Sequence, residues 1–231
     1  MQPFKKESRY ISRVWPELTL LKKEDHLLFH SEQTLETVSS ALFGGGFRKL
    51  NYFVNWQVPK DYDCNDPFLA MGQQLESWGY PRGESAGLQT AAWIHWASIK
   101  EEAGNGFKAV CCVTAGVGNR ERAGIRRPSY PAYQPGTINT FLFIDGRLTQ
   151  SAMVNAIMTA AEAKAAAMQD ANILVETGAA ATGTTTDSIV IAASQAEFCP
   201  LHLYAGTATS IGNTIGCLVY DAVCEAVRNG G

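Results

Sequence analysis

Thr137-Ile-Asn-Thr-Phe-Leu-Phe-Ile-Asp145, Gly146-Arg-Leu-Thr-Gln-Ser151 and Ala152-Met-Val-Asn-Ala-Ile-Met-Thr-Ala-Ala-Glu-Ala-Lys-Ala-Ala-Ala-Met-Gln169 decide the fold class. The first segment is a short apolar run of aromatic and β-branched residues stopped by Asp145-Gly146, which predicts a strand and a turn. The last is rich in Ala, Met, Glu and Lys, the strong helix formers, with Thr149 or Ser151 placed to cap it. Strand, turn and capped helix in succession predict an α/β protein.

Working outward, Phe107–Thr114 is a second buried strand, running into Ala115-Gly116-Val117-Gly118-Asn119. Ser188–Ala193 is a third, Leu50–Val58 a fourth, and Ile173–Glu176 is expected to be another. Leu18–Leu21 and His26–His30 flank the charged run Lys22-Lys23-Glu24-Asp25 and predict a hairpin. Pro67–Trp78 and Ile215–Val227 have helical patterns, whereas Leu88–Ile99 fits helix and strand equally. With no linker and no repeat, the expectation is a single domain over residues 1–231, a mixed β-sheet layered with helices.

Hydrophobic residues make up 46% of the chain and charged residues 18%, the balance of a packed globular protein. A net charge of −3 gives no electrostatic case for nucleic acid. The basic group Arg120, Arg122, Arg126 and Arg127 fits a solvated loop or an anion site. No run approaches the ~20 apolar residues of a membrane helix, and Met1–Tyr10 lacks the apolar stretch of a secretory signal. The six cysteines form no CxxC pair, and adjacent Cys111 and Cys112 would point to opposite faces of a strand. Reduced thiols, a cytoplasmic location and no metal site are the expectation. His26 and His30 have the spacing of a helical metal pair, which a strand would not bring together.

Three Gly/Thr-rich segments adjoin buried strands: Thr114–Asn119, Gly178–Asp187 and Gly206–Gly212. Small residues let a ligand approach the backbone, whose N–H groups and neighbouring hydroxyls can hold an oxyanion. Asp187 stands where such a loop enters a strand, suited either to activating water or to closing a turn. At about 100° per residue, Val154, Ile157, Ala161, Ala165 and Met168 share one helix face, while Asn155, Thr159, Glu162 and Gln169 lie opposite. Lys164 falls near Met153, Ile157 and Ala160, where it either snorkels or meets a buried partner. There is no GxSxG motif, and Thr or Cys nucleophiles stay open, since Thr184–Thr186 and Cys111–Cys112 lie near these loops.

Several strings, in this order, resemble the adenosylcobinamide amidohydrolase family: Ser39-Ser40-Ala41 with Gly44-Gly45-Gly46, Asn55-Trp-Gln-Val58, Val113-Thr-Ala-Gly-Val-Gly-Asn119, Gly136-Thr-Ile-Asn-Thr140, Thr159-Ala-Ala-Glu-Ala-Lys164 and Ala181-Thr-Gly-Thr-Thr-Thr-Asp187. Tyr204-Ala-Gly206 and Ile211-Gly212 continue the pattern, and the likeness runs from about residue 35 to 227. Ala161 departs from it, standing where the family pattern has threonine. The resemblance implies cleavage of the aminopropanol amide of adenosylcobinamide to adenosylcobyric acid, in corrinoid salvage, without a cofactor. For that reaction the residues themselves offer Asp187, Glu162 and Lys164 as the expected catalytic groups, with Asn55, Asn119, Asn139 and Gly183, Thr184, Thr185, Thr186 expected to bind the corrinoid substrate. Asp187 or Glu162 would activate water, Gly183–Thr186 N–H groups would hold the oxyanion, and Lys164 would orient the carboxylate. Trp56 is a further expected lining residue. The same loops would also serve a non-catalytic corrinoid- or nucleotide-binding module, or an Ntn-like hydrolase that cuts itself before a threonine such as Thr184. A homo-oligomer is compatible with the sequence.

Overall fold

The structure, a computed structural model, describes residues 1–126 and 136–229. Its strands are β1 (Arg9–Ile11), β2 (Thr19–Lys22), β3 (His26–Ser39), β4 (Gly46–Gln57), β5 (Ser85–Thr90), β6 (Ser98–Gly104), β7 (Phe107–Ala115), β8 (Arg120–Glu121), β9 (Ile138–Asp145), β10 (Arg147–Leu148), β11 (Gly183–Thr184), β12 (Ser188–Ala193) and β13 (Leu201–His202). Its α-helices are α1 (Pro67–Ser77), α2 (Gln150–Asp170) and α3 (Ser210–Asn229).

Nine strands form one sheet in the order β1-β2-β3-β12-β9-β7-β6, with β4 also on β3 and β5 on β4. The β12–β9 and β4–β5 pairs are parallel and the rest of this sheet is antiparallel, so it is mixed. A parallel pair needs a crossover, and α2 lies in the connection from β9 to β12. Between His30 and Leu35 the pairing of β3 with β4 loses register. Such an irregularity bends a strand, and here the sheet curls until β4 and β5 lie over β9 and β7.

Alternation along the strands builds three cores. From β9, Ile138, Leu142 and Ile144 face α2 and α3, while Phe141 and Phe143 face the opposing sheet layer. Phe29 lies 4.8 Å from Phe141 and 5.3 Å from Phe143 between ring centroids, with Phe53 edge-on to Phe143. Each buried phenyl contributes about 1.5–3 kcal/mol of transfer free energy. Leu28, Phe43, Val54, Met71 and Leu75 form a third core under α1. The layers therefore run helices, sheet, sheet, helix, which agrees with the expected α/β class.

The expected strands at 107–114, 137–145 and 188–193 are present within a residue or two, and Thr149 caps α2 by accepting from the Ala152 N–H at 3.1 Å. Ile173–Glu176 is not a strand: Ile173 N–H closes the end of α2 on Met168 O, and Val175 N–H turns back to Ala179 O. Leu88–Ile99 is neither a helix nor a strand but the end of β5, a 3-10 turn at Ile94–Trp96 and the start of β6. The buried face of α2 also differs from the expected one, since Ala152, Met153, Ala156, Thr159 and Ala160 are buried while Val154 is exposed. Asn155 and Thr159 face inward because the 201–205 segment covers them: Asn155 Oδ1 accepts from Ala205 N–H and the Thr159 hydroxyl donates to Ala205 O.

Candidate active site

The end of the sheet where β7 stops at Ala115 and β9 and β12 begin gathers two of the three Gly/Thr-rich segments, Thr114–Asn119 and Gly178–Asp187. Gly206–Gly212 lies at the other end, where Ala205 N–H donates to Asn155 and the Thr214 hydroxyl to Glu102. Gly116 N–H donates to Thr137 O at 2.9 Å. The Arg120–Glu121 and Gly183–Thr184 strands pair antiparallel, and Thr182 adds two bonds, accepting from Ala123 N–H and donating its own N–H to Glu121 O. Arg120 and Arg122 donate to Leu174 O and Ala180 O, each at 2.6 Å. Two guanidinium groups of the basic cluster thus lace the loops together. Arg126 is exposed, and Arg127 lies outside the described residues.

On the helix side of the sheet, Asp187 meets Lys164 from α2. Both side chains are only 11% exposed, and Lys164 Nζ donates to Asp187 Oδ2. The same oxygen accepts from Thr184 N–H at 2.9 Å, while Oδ1 accepts from the Thr184 hydroxyl and from Ile138 N–H at 3.0 Å. A carboxylate offers about four lone-pair directions, and four donors fill them here. Gly183 allows this arrangement, because a Cβ there would fall 2.2 Å from Asp187 Oδ2 and 2.4 Å from Lys164 Nζ.

On the opposite face, a neutral network spans the two sheet layers. Asn139 Nδ2 donates to Asn55 Oδ1 at 2.8 Å and to Gln89 O at 2.9 Å, and Asn55 Nδ2 donates to the Thr114 hydroxyl at 2.8 Å. The Thr137 hydroxyl, 3.2 Å from Asn139 Oδ1, donates to Thr186 O at 2.8 Å and so ties this network to the charged pair. The Thr186 hydroxyl donates to Gly136 O. Ser188 opens β12 with its hydroxyl 3.0 Å from that of Ser40.

The structure brings Asp187, Lys164, Gly183 and Thr184 together, as expected, but in different roles. The Thr184 N–H, expected to hold an oxyanion, is committed to Asp187. Glu162 does not join them: it is exposed, two residues or about 200° around α2 from Lys164. Asn55 and Asn139 are buried against each other and frame the loops from beneath, Asn119 is buried as well, and Thr185 and Thr186 are exposed. Asn119 is packed with its side-chain oxygen 2.5 Å from where a Cβ at Gly136 would stand, and Gly136 has φ +139°. Trp56 turns toward α1, against Tyr62 and Trp78. Cys111 and Cys112 are fully buried in the helix-side and inter-sheet cores, and burial pushes both thiols up, away from the thiolate a nucleophile needs. His26 is a packed strand histidine, stacked on Trp78 and set between Asp25 Oδ1 at 2.8 Å and the Tyr80 hydroxyl at 2.9 Å. Desolvation lowers its pKa.

Sequence reasoning missed Thr137, Ser40, Ser188 and the backbone N–H of Ile138. Thr137 and Ser40 lay inside strings singled out above, but a backbone donor has no side-chain signature.

Comparison with known proteins adds four findings. The family model described as adenosylcobinamide amidohydrolase matches residues 12–230. A curated protein named adenosylcobinamide amidohydrolase, from Methanosarcina mazei, is 29% identical over 202 residues, covering 84% of this chain and 89% of the relative. An uncharacterized protein of Methanocaldococcus jannaschii, MJ1613, is 29% identical over 211 residues, covering 79% of this chain and 78% of its own. Among solved structures, the PH0078 protein from Pyrococcus horikoshii superposes with a TM-score of 0.47 at 9% identity, covering 88% of this chain and 76% of that one.

Proposed function

This chain belongs to the adenosylcobinamide amidohydrolase family, and from that premise we propose that it hydrolyses the aminopropanol amide of adenosylcobinamide. The products are adenosylcobyric acid and 1-aminopropan-2-ol, and the reaction returns incomplete corrinoids to coenzyme B12 synthesis. One observation supports this most: four of the strings that resemble the family, those at 113–119, 136–140, 159–164 and 181–187, meet at one end of the sheet, around a buried Lys164–Asp187 pair.

Amide hydrolysis needs an activated water, a stabiliser for the oxyanion and a proton for the leaving amine. We assign the reacting amide to the surface above the Thr184–Asp187 turn, where the Thr185 and Thr186 side chains are exposed. Asp187 fixes that turn through four donors, and Lys164 neutralises the carboxylate. For Asp187 to take a proton from water, one donor must let go. The Thr184 hydroxyl can do so by rotating, without moving backbone, which frees a lone pair on Oδ1. Asn119 and the Gly183–Thr186 backbone border the substrate. Glu162 keeps no part in this scheme, because its position on α2 faces solvent. All six cysteines are free thiols, which supports a reducing, cytoplasmic setting. Among the described residues no helix is long and apolar enough to cross a membrane.

The test is to incubate purified protein with adenosylcobinamide and to analyse the corrinoid by chromatography and mass spectrometry. Adenosylcobyric acid with free 1-aminopropan-2-ol is expected. Unchanged substrate bound to the protein would replace this reading with a binding module. The protein mass reads the self-processing alternative: one intact chain is expected, and two fragments would overturn that expectation.

A further inference from the structure

Trp93 is 51% exposed, yet the backbone that carries it is fixed on both sides. Ala92 and Ile94 are buried, Ala92 N–H donates to the Thr90 hydroxyl at 3.1 Å, and Ile94 N–H donates to Gln57 Oε1 at 3.1 Å. Trp93 O accepts from Trp96 N–H at 3.0 Å, closing the turn. His95 lies against one side of the indole, 5.7 Å between ring centroids.

The position of this turn gives the exposed ring its meaning. A Cβ at Gly116 would lie 3.3 Å from Ala92 Cβ and 3.7 Å from Gly136 Cα, and Gly136 O accepts from the Thr186 hydroxyl. Ala92, Gly116, Gly136 and Thr186 therefore form one continuous wall from Trp93 to the Asp187 turn. Just before Trp93, Gln89 O closes the Asn139–Asn55 network. A large apolar ring with a fixed backbone, half in water at the rim of a polar site, is arranged to receive a flat ligand surface.

We propose that Trp93 is a stacking platform for the adenine base of the substrate, at the far end of the same site from the Asp187 turn. This rests on the amidohydrolase reading. Adenosylcobinamide offers two kinds of surface: a corrin rim bearing saturated carbons and amide arms above and below its plane, and an unobstructed purine. Only the purine presents a flat face that an indole can cover. Base–aromatic stacking tolerates the absence of hydrogen-bond readout, so the site needs only the ring at this place.

The experiment measures dissociation constants by equilibrium dialysis. The probes are adenosylcobyric acid, which keeps the adenosyl group and lacks the scissile amide, and cyanocobyric acid, which has cyanide in place of the adenosyl. Trp93→Ala is expected to weaken adenosylcobyric acid by about tenfold or more and to leave cyanocobyric acid unchanged. Trp93→Phe should recover most of the loss and Trp93→Leu should not, a contrast that also serves if the alanine variant folds poorly. Unchanged affinity in Trp93→Ala, or equal weakening of both corrinoids, overturns the platform. If the variants show this pattern while wild-type protein does not hydrolyse adenosylcobinamide, the platform stands and the amidohydrolase reading falls. If wild-type protein hydrolyses it while Trp93→Ala binds normally, the reverse holds.

Discussion

Two buried polar clusters sit back to back on the β9–β12 ladder and solve opposite problems. The Lys164–Asp187 pair on the helix side holds charge in a place that is 11% exposed. The Asn55–Asn139–Thr114 network on the other side holds only neutral dipoles. Charges taken out of water cost several kcal/mol each unless every lone pair is matched, and Asp187 meets that demand with donors from three separate segments of chain. The amide network needs less compensation, and each of its members bridges two strands. The charged cluster therefore fixes loops, whereas the neutral one fixes layers.

The largest effect expected from this contrast follows removal of one charge. Lys164→Met should cost about 3–5 kcal/mol in urea unfolding, because Asp187 is left buried without its counter-ion. Turnover should vanish even at temperatures where the variant is folded. A loss below about 1 kcal/mol would mean that the pair is solvated and the contrast false. Gly183→Ala comes next. Its methyl must displace the ion pair, costing about 3 kcal/mol, and kcat should fall in the folded fraction. Asn139→Leu should cost about 2 kcal/mol by leaving Asn55 Oδ1 and Gln89 O unpaired, with turnover per folded molecule largely kept. If this variant instead lost turnover at wild-type stability, the neutral cluster would be part of the chemistry. Glu162→Gln closes the series: stability within about 0.5 kcal/mol of wild type and unchanged kcat. A collapse of kcat would return Glu162 to the mechanism.

What the sequence disclosed follows from which forces act locally. The 107–115 and 138–145 strands were legible because their apolar runs are short, β-rich and ended by turn residues. Ile173-Leu-Val175 has the same composition, but its backbone N–H groups close a helix end and a turn, so composition alone misled. The start of α3 at Ser210 was hidden by Gly212 and Gly216, poor helix formers. Gly212 is tolerated there because a Cβ would fall 2.0 Å from Gly206 O. The helical wheel correctly separated Lys164 from Glu162, yet nothing in the sequence could show that the donors to Asp187 include two main-chain N–H groups. Tertiary folding brings those together, and residue type does not record it.

The two amides bound to Asp187 also give the site a built-in gauge. Thr184 N–H belongs to a two-residue strand and Ile138 N–H to the first residue of β9, positions where a proton would ordinarily trade quickly with water. Bonded to a buried carboxylate, both should trade slowly, and they should speed up together whenever the pair with Lys164 opens. Deuterium uptake at these two positions would then follow each opening of the site in real time, with no substrate present.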